Sequence, residues 1–285
     1  MKIHKDSVFA GVVLYNPDIN RLKKNIHSLM QQIKNIVLID NGSNNFEEVA
    51  KLYADFENVY IISFETNKGI AVALNKMIIW GKDNGFKWCL TMDQDSIADL
   101  SMISNMVDSA NQTLLDNVGM IVPTIIDINM ESEHKDTNEV VEIDKSESVI
   151  TSGSLMNIEY VESVGMYNEK YFIDYVDTEL QERLLRNNFK IIRVVDAYLY
   201  HEVGHITVHR FLLWKIVCSN HSAFRRYYQV RNRLAFKKEY FGNLSFIKEY
   251  IRLHLGDIKI LLFEEDKKKK ICASIRGYRD YKLLL

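Results

Sequence analysis

The alternation of apolar runs with segments of helical spacing constrains the fold of the first hundred residues more than any other feature. The apolar runs are 8–15, 35–39, 59–64 and 86–92, and the helical segments are 19–32, 46–55 and 70–80. Continuous apolar runs are typical of strands that are buried on both faces. Strands that alternate with helices at this spacing predict right-handed βαβ units. We therefore predict an α/β fold with a mostly parallel central sheet flanked by helices.

Length and composition narrow the class of protein. A chain of 285 residues with 47% hydrophobic residues can bury the core of one large domain and still carry an appendage. Cys89, Cys218 and Cys272 are too far apart in sequence to suggest a disulfide framework or a zinc knuckle, which favours a reducing compartment. The N-terminus does not resemble a signal peptide, and no stretch reaches the roughly 18 apolar residues that span a bilayer. We predict a cytoplasmic protein.

Polar residues follow the ends of all four predicted strands. They are Tyr15, Asn16, Asp40, Asn41, Asn67, Asp93, Gln94 and Asp95. Each one alone is explained by ordinary turn chemistry. However, the carboxyl ends of parallel strands meet at one edge of a sheet, and ligands bind in the crevice outside that edge. Taken together, these side chains predict one binding site.

Asp93 and Asp95 end the fourth apolar run one residue apart, so both carboxylates point to the same side of the chain. Two such acids repel each other unless a cation lies between them, and a hard divalent cation that also binds phosphate oxygens is the usual solution. The alternative is a solvated strand end, where aspartate is common. The chain contains neither Gly-x-Gly-x-x-Gly nor Gly-x-x-x-x-Gly-Lys-Ser/Thr. A bound diphosphate would therefore need a metal ion at the acid pair to neutralise it.

Charge is distributed unevenly along the chain. Residues 1–205 contain 18 basic and 31 acidic residues, whereas residues 206–285 contain 18 basic and 7 acidic residues. Apolar residues at helical spacing over 244–285 predict a basic helical extension, and the stretch 224–233 combines arginine with tyrosine. The extension could contact an anionic membrane surface as a peripheral protein, form a homodimer contact, or cap the domain. Nucleic acid is not expected as a partner, because it would explain neither the acidic body nor the acid pair.

Six short motifs, in order along residues 8–235, resemble glycosyltransferase family 2, whose members have the GT-A fold. The motifs are 13–17, 39–43, 67–75, 92–96, 152–153 and 174–180. The segments around Asp93 and Asp177 are most similar to the rhamnosyltransferase branch, which uses dTDP-L-rhamnose to build surface polysaccharides. The resemblance implies a catalytic domain over 1–205, with a nucleotide-sugar-binding half (1–98) and an acceptor-binding half (99–205), followed by the extension 206–285.

The resemblance also implies roles for single residues on the donor side. The residues expected to bind the nucleotide sugar are Tyr15, Asn16, Asp40, Asn67, Gly69, Asn75 and Asp93. Arg231, in the arginine–tyrosine stretch, would bind either the donor diphosphate or the diphosphate of a lipid-linked acceptor. Asp93 and Asp95 match the DXD motif that binds a nucleotide diphosphate through Mg²⁺ or Mn²⁺, with Asp95 as the first ligand and His201 completing the metal site. His201 also begins a His-Glu-x-x-His sequence, but zinc proteases need this pattern on a helix and here it follows a strand-like run.

The predicted chemistry lies in the second half of the chain. Inversion by direct displacement requires a base on the face of the sugar opposite the leaving diphosphate, to take the proton of the acceptor hydroxyl. The resemblance assigns this role to Asp177, which precedes a predicted helix over 180–187. Val176 replaces an acid that the family often has, so Asp174 is the alternative base. Gly153 lies in a predicted strand over 149–156, where a β-bulge would explain it as well as a ligand would. Gly153, Asp174 and Glu179 are expected at the acceptor site, although acids in a first helical turn are also ordinary dipole partners.

We therefore expect an inverting, metal-dependent glycosyltransferase. It would move a sugar, L-rhamnose in the rhamnosyltransferase branch, from a dTDP- or UDP-sugar to a saccharide that a polyprenyl diphosphate could carry. It would act in the cytoplasm at the inner face of the plasma membrane. One rival is a sugar-nucleotide nucleotidyltransferase, which would need a glycine-rich basic loop after the first strand. The other is a non-catalytic protein that binds nucleotide sugars or acts as a membrane-surface scaffold.

Overall fold

The structure is a computed structural model that describes residues 2–113, 115–127, 139–145, 147–201, 207–211, 214–218 and 220–285. The chain forms two compact units. The first comprises Met1–Glu169 and Asp177–Glu202, and the second comprises Lys170–Val176 and Val203–Leu285. The division into a catalytic domain over 1–205 and an extension over 206–285 stays a prediction.

A nine-stranded sheet forms the centre of the first unit. Its strands are β1 (Val8–Leu14), β2 (Ile36–Asp40), β3 (Val59–Ser63), β4 (Trp88–Asp93), β5 (Ile97–Ala98), β6 (Val118–Asp127), β7 (Val140–Ile143), β8 (Ser154–Asn157) and β9 (Lys190–His201). The helices along this part of the chain are α1 (Ile19–Met30), α2 (Phe46–Tyr53), α3 (Ile70–Asp83), α4 (Met102–Gln112), α5 (Ile158–Ser163) and α6 (Val176–Arg186).

The strand order is β3-β2-β1-β4-β8-β6-β9-β5, and β7 pairs with β9. β3, β2, β1 and β4 are parallel, as the alternating pattern predicts. β8 is antiparallel to both of its neighbours, whereas β9 is parallel to β6. The predicted α/β fold with a central sheet flanked by helices is confirmed. Strand β6 was not predicted, nor were the short strands β5 and β7, both antiparallel to β9.

The apolar runs of the sequence form the core of the first unit. β1, β2 and β4 are buried almost throughout. Helix α1 buries Leu22, Ile26 and Leu29, which are at most 1% exposed, and burial of each such side chain stabilises the fold by about 1.5–3 kcal/mol. Asp18 caps the helix by accepting a hydrogen bond from the backbone N–H of Arg21 at 2.9 Å. The buried strands and α1 thus fix the positions of the strand ends, where the predicted site residues lie.

Two expected boundaries differ in the structure. The strand expected over 149–156 is reduced to β8, because Gly153 has a φ of 79°, which a regular strand does not allow. Helix α6 begins at Val176 rather than at residue 180, so Asp177 and Glu179 lie in its first turn. Acidic residues favour such an early start, because they meet the positive end of the helix dipole.

The second unit contains an antiparallel hairpin and two helices. The hairpin consists of β10 (Thr207–Phe211) and β11 (Trp214–Cys218), and the helices are α7 (Ala223–Phe263) and α8 (Lys267–Asp280). Gly242 has a φ of 76° and a ψ of −171°, which divides α7 into two helical halves. Val230 and Leu234 from the first half pack with Leu253 from the second. The predicted helical extension is confirmed, but its hairpin was not predicted.

Two further observations concern the environment of the chain. Among the described residues, no helix combines the length and the apolar character needed to cross a membrane. All three cysteines are free. Cys89 and Cys218 are buried, and Cys272 in α8 is exposed.

Candidate active site

The two acids of the Asp-Gln-Asp triplet meet a histidine from a distant strand. Asp93 ends β4, Asp95 lies in the turn that follows, and His201 ends β9. One ligand atom from each of these residues lies within 4.8 Å of the others, and all three residues are half-buried. We call these three residues the acid–histidine cluster. The structure thus brings together the three residues expected to bind a metal ion.

Two serines orient this cluster. The Ser96 hydroxyl lies 2.9 Å from His201 Nδ1, and Ser152 Oγ donates a hydrogen bond to Ser96 Oγ at 3.0 Å. Ser152 Oγ also accepts a hydrogen bond from the backbone N–H of Asp93 at 3.0 Å. Both serines are buried, at 0% and 1% exposure, so water does not compete for these bonds. Hydrogen-bonded neighbours of this kind commonly set the orientation of metal-ligating histidines.

Asn25 and Gln94 hold the turn that carries the acids, and of these two Asn25 was not expected at the site. Asn25 Nδ2 in α1 donates hydrogen bonds to the carbonyl oxygens of Asp93 at 2.9 Å and Ser96 at 2.5 Å. The Gln94 amide accepts a hydrogen bond from Tyr15 N at 2.8 Å and donates one to Tyr15 O at 3.3 Å. The sequence signal that could have identified Asn25 was its position, as a polar residue, on the mostly apolar face that α1 buries.

Asp40 ends β2 and has one carboxylate oxygen that the protein does not use. Because β1 lies between β2 and β4, Asp40 and Asp93 flank the end of β1. Asp40 Oδ2 accepts hydrogen bonds from the backbone N–H groups of Gly42 at 3.2 Å and Ser43 at 3.0 Å. Asp40 Oδ1 is buried and has no hydrogen-bond partner among the described residues. A buried acceptor without a partner is costly, so this oxygen is available to a ligand donor.

Close packing of the turns positions the other polar strand ends. Asn16 Oδ1 accepts a hydrogen bond from the turn after β2 at 2.8 Å, and Asn67 Oδ1 accepts one from Gly69 N at 2.9 Å. Gly42 has a φ of 79°, and a Cβ there would lie 2.6 Å from the Thr66 backbone. Only glycine therefore lets the turn after β2 approach the turn after β3. The expected convergence of polar side chains at this sheet edge is present.

The donor atoms of the acid–histidine cluster determine which ion fits. Two carboxylates and one imidazole suit Mg²⁺ or, with the nitrogen ligand, Mn²⁺. Three protein ligands leave positions at which the ion can bind phosphate oxygens. The buried Asp40 oxygen lies along the same sheet edge. The arrangement can therefore hold a diphosphate at the acid–histidine cluster and a ring with a hydrogen-bond donor, such as a nucleobase, at Asp40.

Comparison with known proteins identifies the family. The sequence profile of Glycosyl transferase family 2 matches residues 10–168. The dTDP-rhamnosyl transferase RfbF of Shigella flexneri is 30% identical over 296 residues, which cover 96% of each chain. The chain belongs to glycosyl transferase family 2. It is a glycosyltransferase, and the family resemblance of its motifs is confirmed.

Solved structures of other glycosyltransferases share the fold. S. aureus TarS 1-349 in complex with UDP-GlcNAc matches with a TM-score of 0.60 and 16% identity, covering 100% of this chain and 84% of that one. GalNAc-T7 with UDP, GalNAc and Mn²⁺ matches with a TM-score of 0.58 and 14% identity, covering 80% of this chain. The match spans 50% of the GalNAc-T7 chain. At these identities the likeness extends to the fold alone, and the predicted GT-A fold of this glycosyltransferase is confirmed.

Asp177, the predicted base of this family 2 glycosyltransferase, lies in the first turn of α6. Its Oδ1 accepts a hydrogen bond from the backbone N–H of Thr178 at 2.8 Å. Burial raises the pKa of Tyr167 well above its usual value, and the charge of Asp177 adds to this shift. Asp177 therefore lies within electrostatic range of a buried phenol. Its role as the base stays a prediction.

Three expected site residues make contacts within the first unit that give each of them a structural role without a ligand. Asn75 exchanges two hydrogen bonds with the backbone of Tyr167, both at 2.9 Å. Glu179 is 1% exposed and forms an ion pair with Arg183 at 2.6 Å. A Cβ at Gly153 would lie 2.7 Å from a proline ring. Binding of the donor by Asn75, and of the acceptor by Gly153 and Glu179, stays a prediction.

Asp174 and Arg231 belong to the second unit, where they connect the 170–176 segment with α7. Asp174 forms an ion pair with Arg225 at 3.1 Å. Burial raises the pKa of Asp174, and Arg225 opposes this shift. Arg231 donates a hydrogen bond to Lys170 O at 2.8 Å, and its guanidinium lies 4.8 Å from the centre of the Tyr228 ring. Binding of the acceptor by Asp174 and of a diphosphate by Arg231 stays a prediction.

Proposed function

We propose that this glycosyltransferase is an inverting, metal-dependent rhamnosyltransferase, which moves L-rhamnose from dTDP-L-rhamnose to a hydroxyl of a saccharide in surface polysaccharide synthesis. The donor is supported by the Shigella flexneri relative, a dTDP-rhamnosyl transferase that aligns over 96% of this chain. Two structures of similar fold are complexes with UDP and UDP-GlcNAc, so a UDP-sugar is the alternative donor.

The acid–histidine cluster carries this proposal. Its ligand atoms lie within 4.8 Å of one another, at the sheet edge where Asp40 Oδ1 lacks a partner among the described residues. This geometry supports Asp95, Asp93 and His201 as the residues that hold Mg²⁺ or Mn²⁺. The buried Asp40 oxygen supports a nucleoside pocket at the same edge, with the half-exposed Tyr15 ring as one wall.

The proposed reaction divides the work between two groups of acids. When bound, the metal ion supplies positive charge that stabilises the departing diphosphate. Asp177 takes the proton of the acceptor hydroxyl while that oxygen attacks the sugar carbon from the face opposite the diphosphate. Ser96 and Asn25 take no part in proton transfer, and hold His201 and the acid turn in place.

We also propose that the acceptor is carried by a polyprenyl diphosphate at the inner face of the plasma membrane. The second half of α7 supports this location, because it presents an apolar stripe on one face. The stripe consists of Leu244, Ile251, Leu255, Ile258 and Leu262, each more than half exposed. Basic amphipathic helices bind anionic membrane surfaces, and three free cysteines fit the reducing cytoplasm. A homodimer contact through this stripe is the competing proposal.

A pair of variants separates the two jobs of the acids. In the full-length protein, we expect dTDP to bind at least about tenfold more tightly with Mn²⁺ than with EDTA. Asp95→Asn should remove this difference and lower turnover on the order of 100-fold, because a lost metal ligand costs several kcal/mol of transition-state stabilisation. Asp177→Asn should keep metal-dependent dTDP binding and lose turnover. Calorimetry measures binding, and release of dTDP from dTDP-L-rhamnose with a saccharide panel measures turnover.

Asp108→Asn is the matched control, since Asp108 is an exposed aspartate on α4. It should behave as the unmodified protein does. Equal dTDP affinity in Mn²⁺ and in EDTA would contradict the metal-dependent mechanism. Near-normal turnover of Asp177→Asn would remove that residue as the base.

A further inference from the structure

A polar cavity of about 390 Å³ lies within the second unit. Both halves of α7, the start of α8 and the 170–176 segment contribute to its wall. The volume is within the range of small-molecule sites. The cavity contains no residue of the acid–histidine cluster, so it is a separate feature.

The wall of this cavity is strongly basic. Its charged residues are Arg226, Arg233, Arg252, Lys259, Lys270, Asp174 and Glu264. Acids hold three of the basic groups in place, in the ion pairs Arg226–Asp257 (2.7 Å), Arg233–Glu249 (2.6 Å) and Lys270–Glu264 (2.9 Å). Arg252 has no ion-pair partner in the part of the chain that the structure describes. The wall therefore retains an excess of positive charge.

Gly256 opens space between the basic side chains. Arg252, Gly256 and Lys259 follow one another at intervals of four and three residues, so they share one face of α7. A Cβ at Gly256 would have Arg226 Nη2 as its nearest neighbour, at 3.7 Å. A methyl group fits there at ordinary contact distance, whereas a longer side chain would extend into the cavity.

We propose that this cavity binds a phosphoryl anion of the diphosphate type through Arg252 and Lys259, with Arg226 beside Gly256. Guanidinium groups bind phosphate oxygens in pairs. Arg226 is already held by Asp257, so this side chain loses little freedom when the anion enters. A soluble diphosphate and the diphosphate headgroup of a lipid carry the same chemistry. Binding at this site requires no metal ion, because the positive charges that contact the anion are arginine and lysine side chains.

His221 also lines the cavity. Burial lowers the pKa of His221, and Arg225 adds to this shift. This direction reduces the positive charge of the ring at neutral pH, so the excess charge of the wall comes from arginine and lysine.

Calorimetric titration of the full-length protein with inorganic pyrophosphate in EDTA tests the proposal, because EDTA removes any metal-dependent binding at Asp93 and Asp95. We expect saturable binding that Arg252→Gln weakens at least tenfold and Gly256→Met abolishes. Gly256→Ala should bind as the unmodified protein does, because a methyl group leaves the cavity open. Lys248→Gln removes the same charge from an exposed position of α7 outside the cavity, and should also leave binding unchanged.

Vesicles distinguish the two sources of the anion. If a lipid headgroup fills the cavity, Gly256→Met weakens binding to vesicles that contain a polyprenyl diphosphate relative to Gly256→Ala, and pyrophosphate competes with the vesicles. If the anion is soluble, vesicle binding is equal in both variants while pyrophosphate binding still differs. Absence of pyrophosphate binding, or equal affinity of Arg252→Gln and Lys248→Gln, overturns the proposal. Either result leaves metal-dependent dTDP binding untouched, so the proposed function is tested separately.

Discussion

At the scale of single residues, the acid–histidine cluster depends on side chains that do not themselves offer a metal ligand. Ser96 contacts His201 at 2.9 Å and receives a hydrogen bond from Ser152, which also holds the backbone of Asp93. One hydroxyl chain thus couples the end of β4 to the end of β9. The imidazole is oriented before any ion binds, which lowers the entropy lost on binding.

Removing the first hydroxyl of this chain should weaken metal binding without unfolding the protein. We expect Ser96→Ala to lower Mn²⁺ affinity roughly 10- to 100-fold, the usual effect of losing a neighbour that orients a ligand. Electron paramagnetic resonance of free Mn²⁺ measures the affinity. Ser163→Ala is the control, because Ser163 is exposed and its hydroxyl bonds only a local carbonyl. Unchanged Mn²⁺ affinity in Ser96→Ala would show that the hydroxyl does not orient a ligand.

At the scale of elements, two glycines shape α7. Gly242 interrupts the helix, and Gly256 leaves space for the cavity beside it. Gly242 lies at φ 76° and ψ −171°, a conformation essentially restricted to glycine, and a Cβ there would meet no atom within 4 Å. Gly256 lies within the regular second half of α7, where glycine weakens a helix. The two positions differ in backbone conformation, whereas neither is sterically crowded.

The same substitution should therefore have opposite effects at these two positions. Gly242→Ala should lower the free energy of unfolding by about 1–3 kcal/mol, the cost of holding alanine in that conformation. Gly256→Ala should raise it by up to about 1 kcal/mol, because alanine favours the helix. Urea denaturation followed by circular dichroism measures both. Equal changes would mean that the break in α7 does not require glycine.

Strands β1 to β4 and helices α1 to α3 had local signals and were predicted from the sequence, whereas β6 and the elements that depend on distant pairing were not. Gly119 and Pro123 interrupt the apolar residues of β6. The apolar runs gave β1 to β4 to within two residues, because buried parallel strands are continuous in sequence. β5 and β7 have two and four residues and form only beside β9, so no local pattern marks them. At the site, Asp40 and Asp93 could be predicted because they end the apolar runs of β2 and β4. The contacts of Asn25 depend on packing between α1 and the acid turn.

At the scale of the whole molecule, charge and exposed apolar surface concentrate in the same part of the chain. Residues 206–285 contain 18 basic and 7 acidic residues, and the apolar stripe of α7 lies among them. Electrostatic attraction brings such a surface to an anionic bilayer, and apolar contact then holds it there. Salt screens the electrostatic attraction and leaves the apolar contact largely unchanged.

Vesicle sedimentation should detect this combination in the full-length protein. We expect binding to phosphatidylglycerol vesicles that weakens as salt increases, and little binding to phosphatidylcholine vesicles. The double variant Leu255→Ser/Leu262→Ser should weaken binding severalfold by removing two side chains of the stripe. Leu100→Ser is the control, because Leu100 is an exposed leucine of the first unit, at 69% exposure. Concentration-dependent dimerisation that the double variant abolishes, without any vesicle binding, would favour the homodimer instead.

The three cysteines differ sharply in accessibility. Burial raises the pKa of Cys89 and of Cys218, so both thiols stay protonated and unreactive at neutral pH. Cys272 is exposed on α8. A maleimide fluorophore should therefore attach to Cys272 of the unmodified protein. The emission wavelength of the fluorophore would then report whether α8 moves from water into an apolar environment.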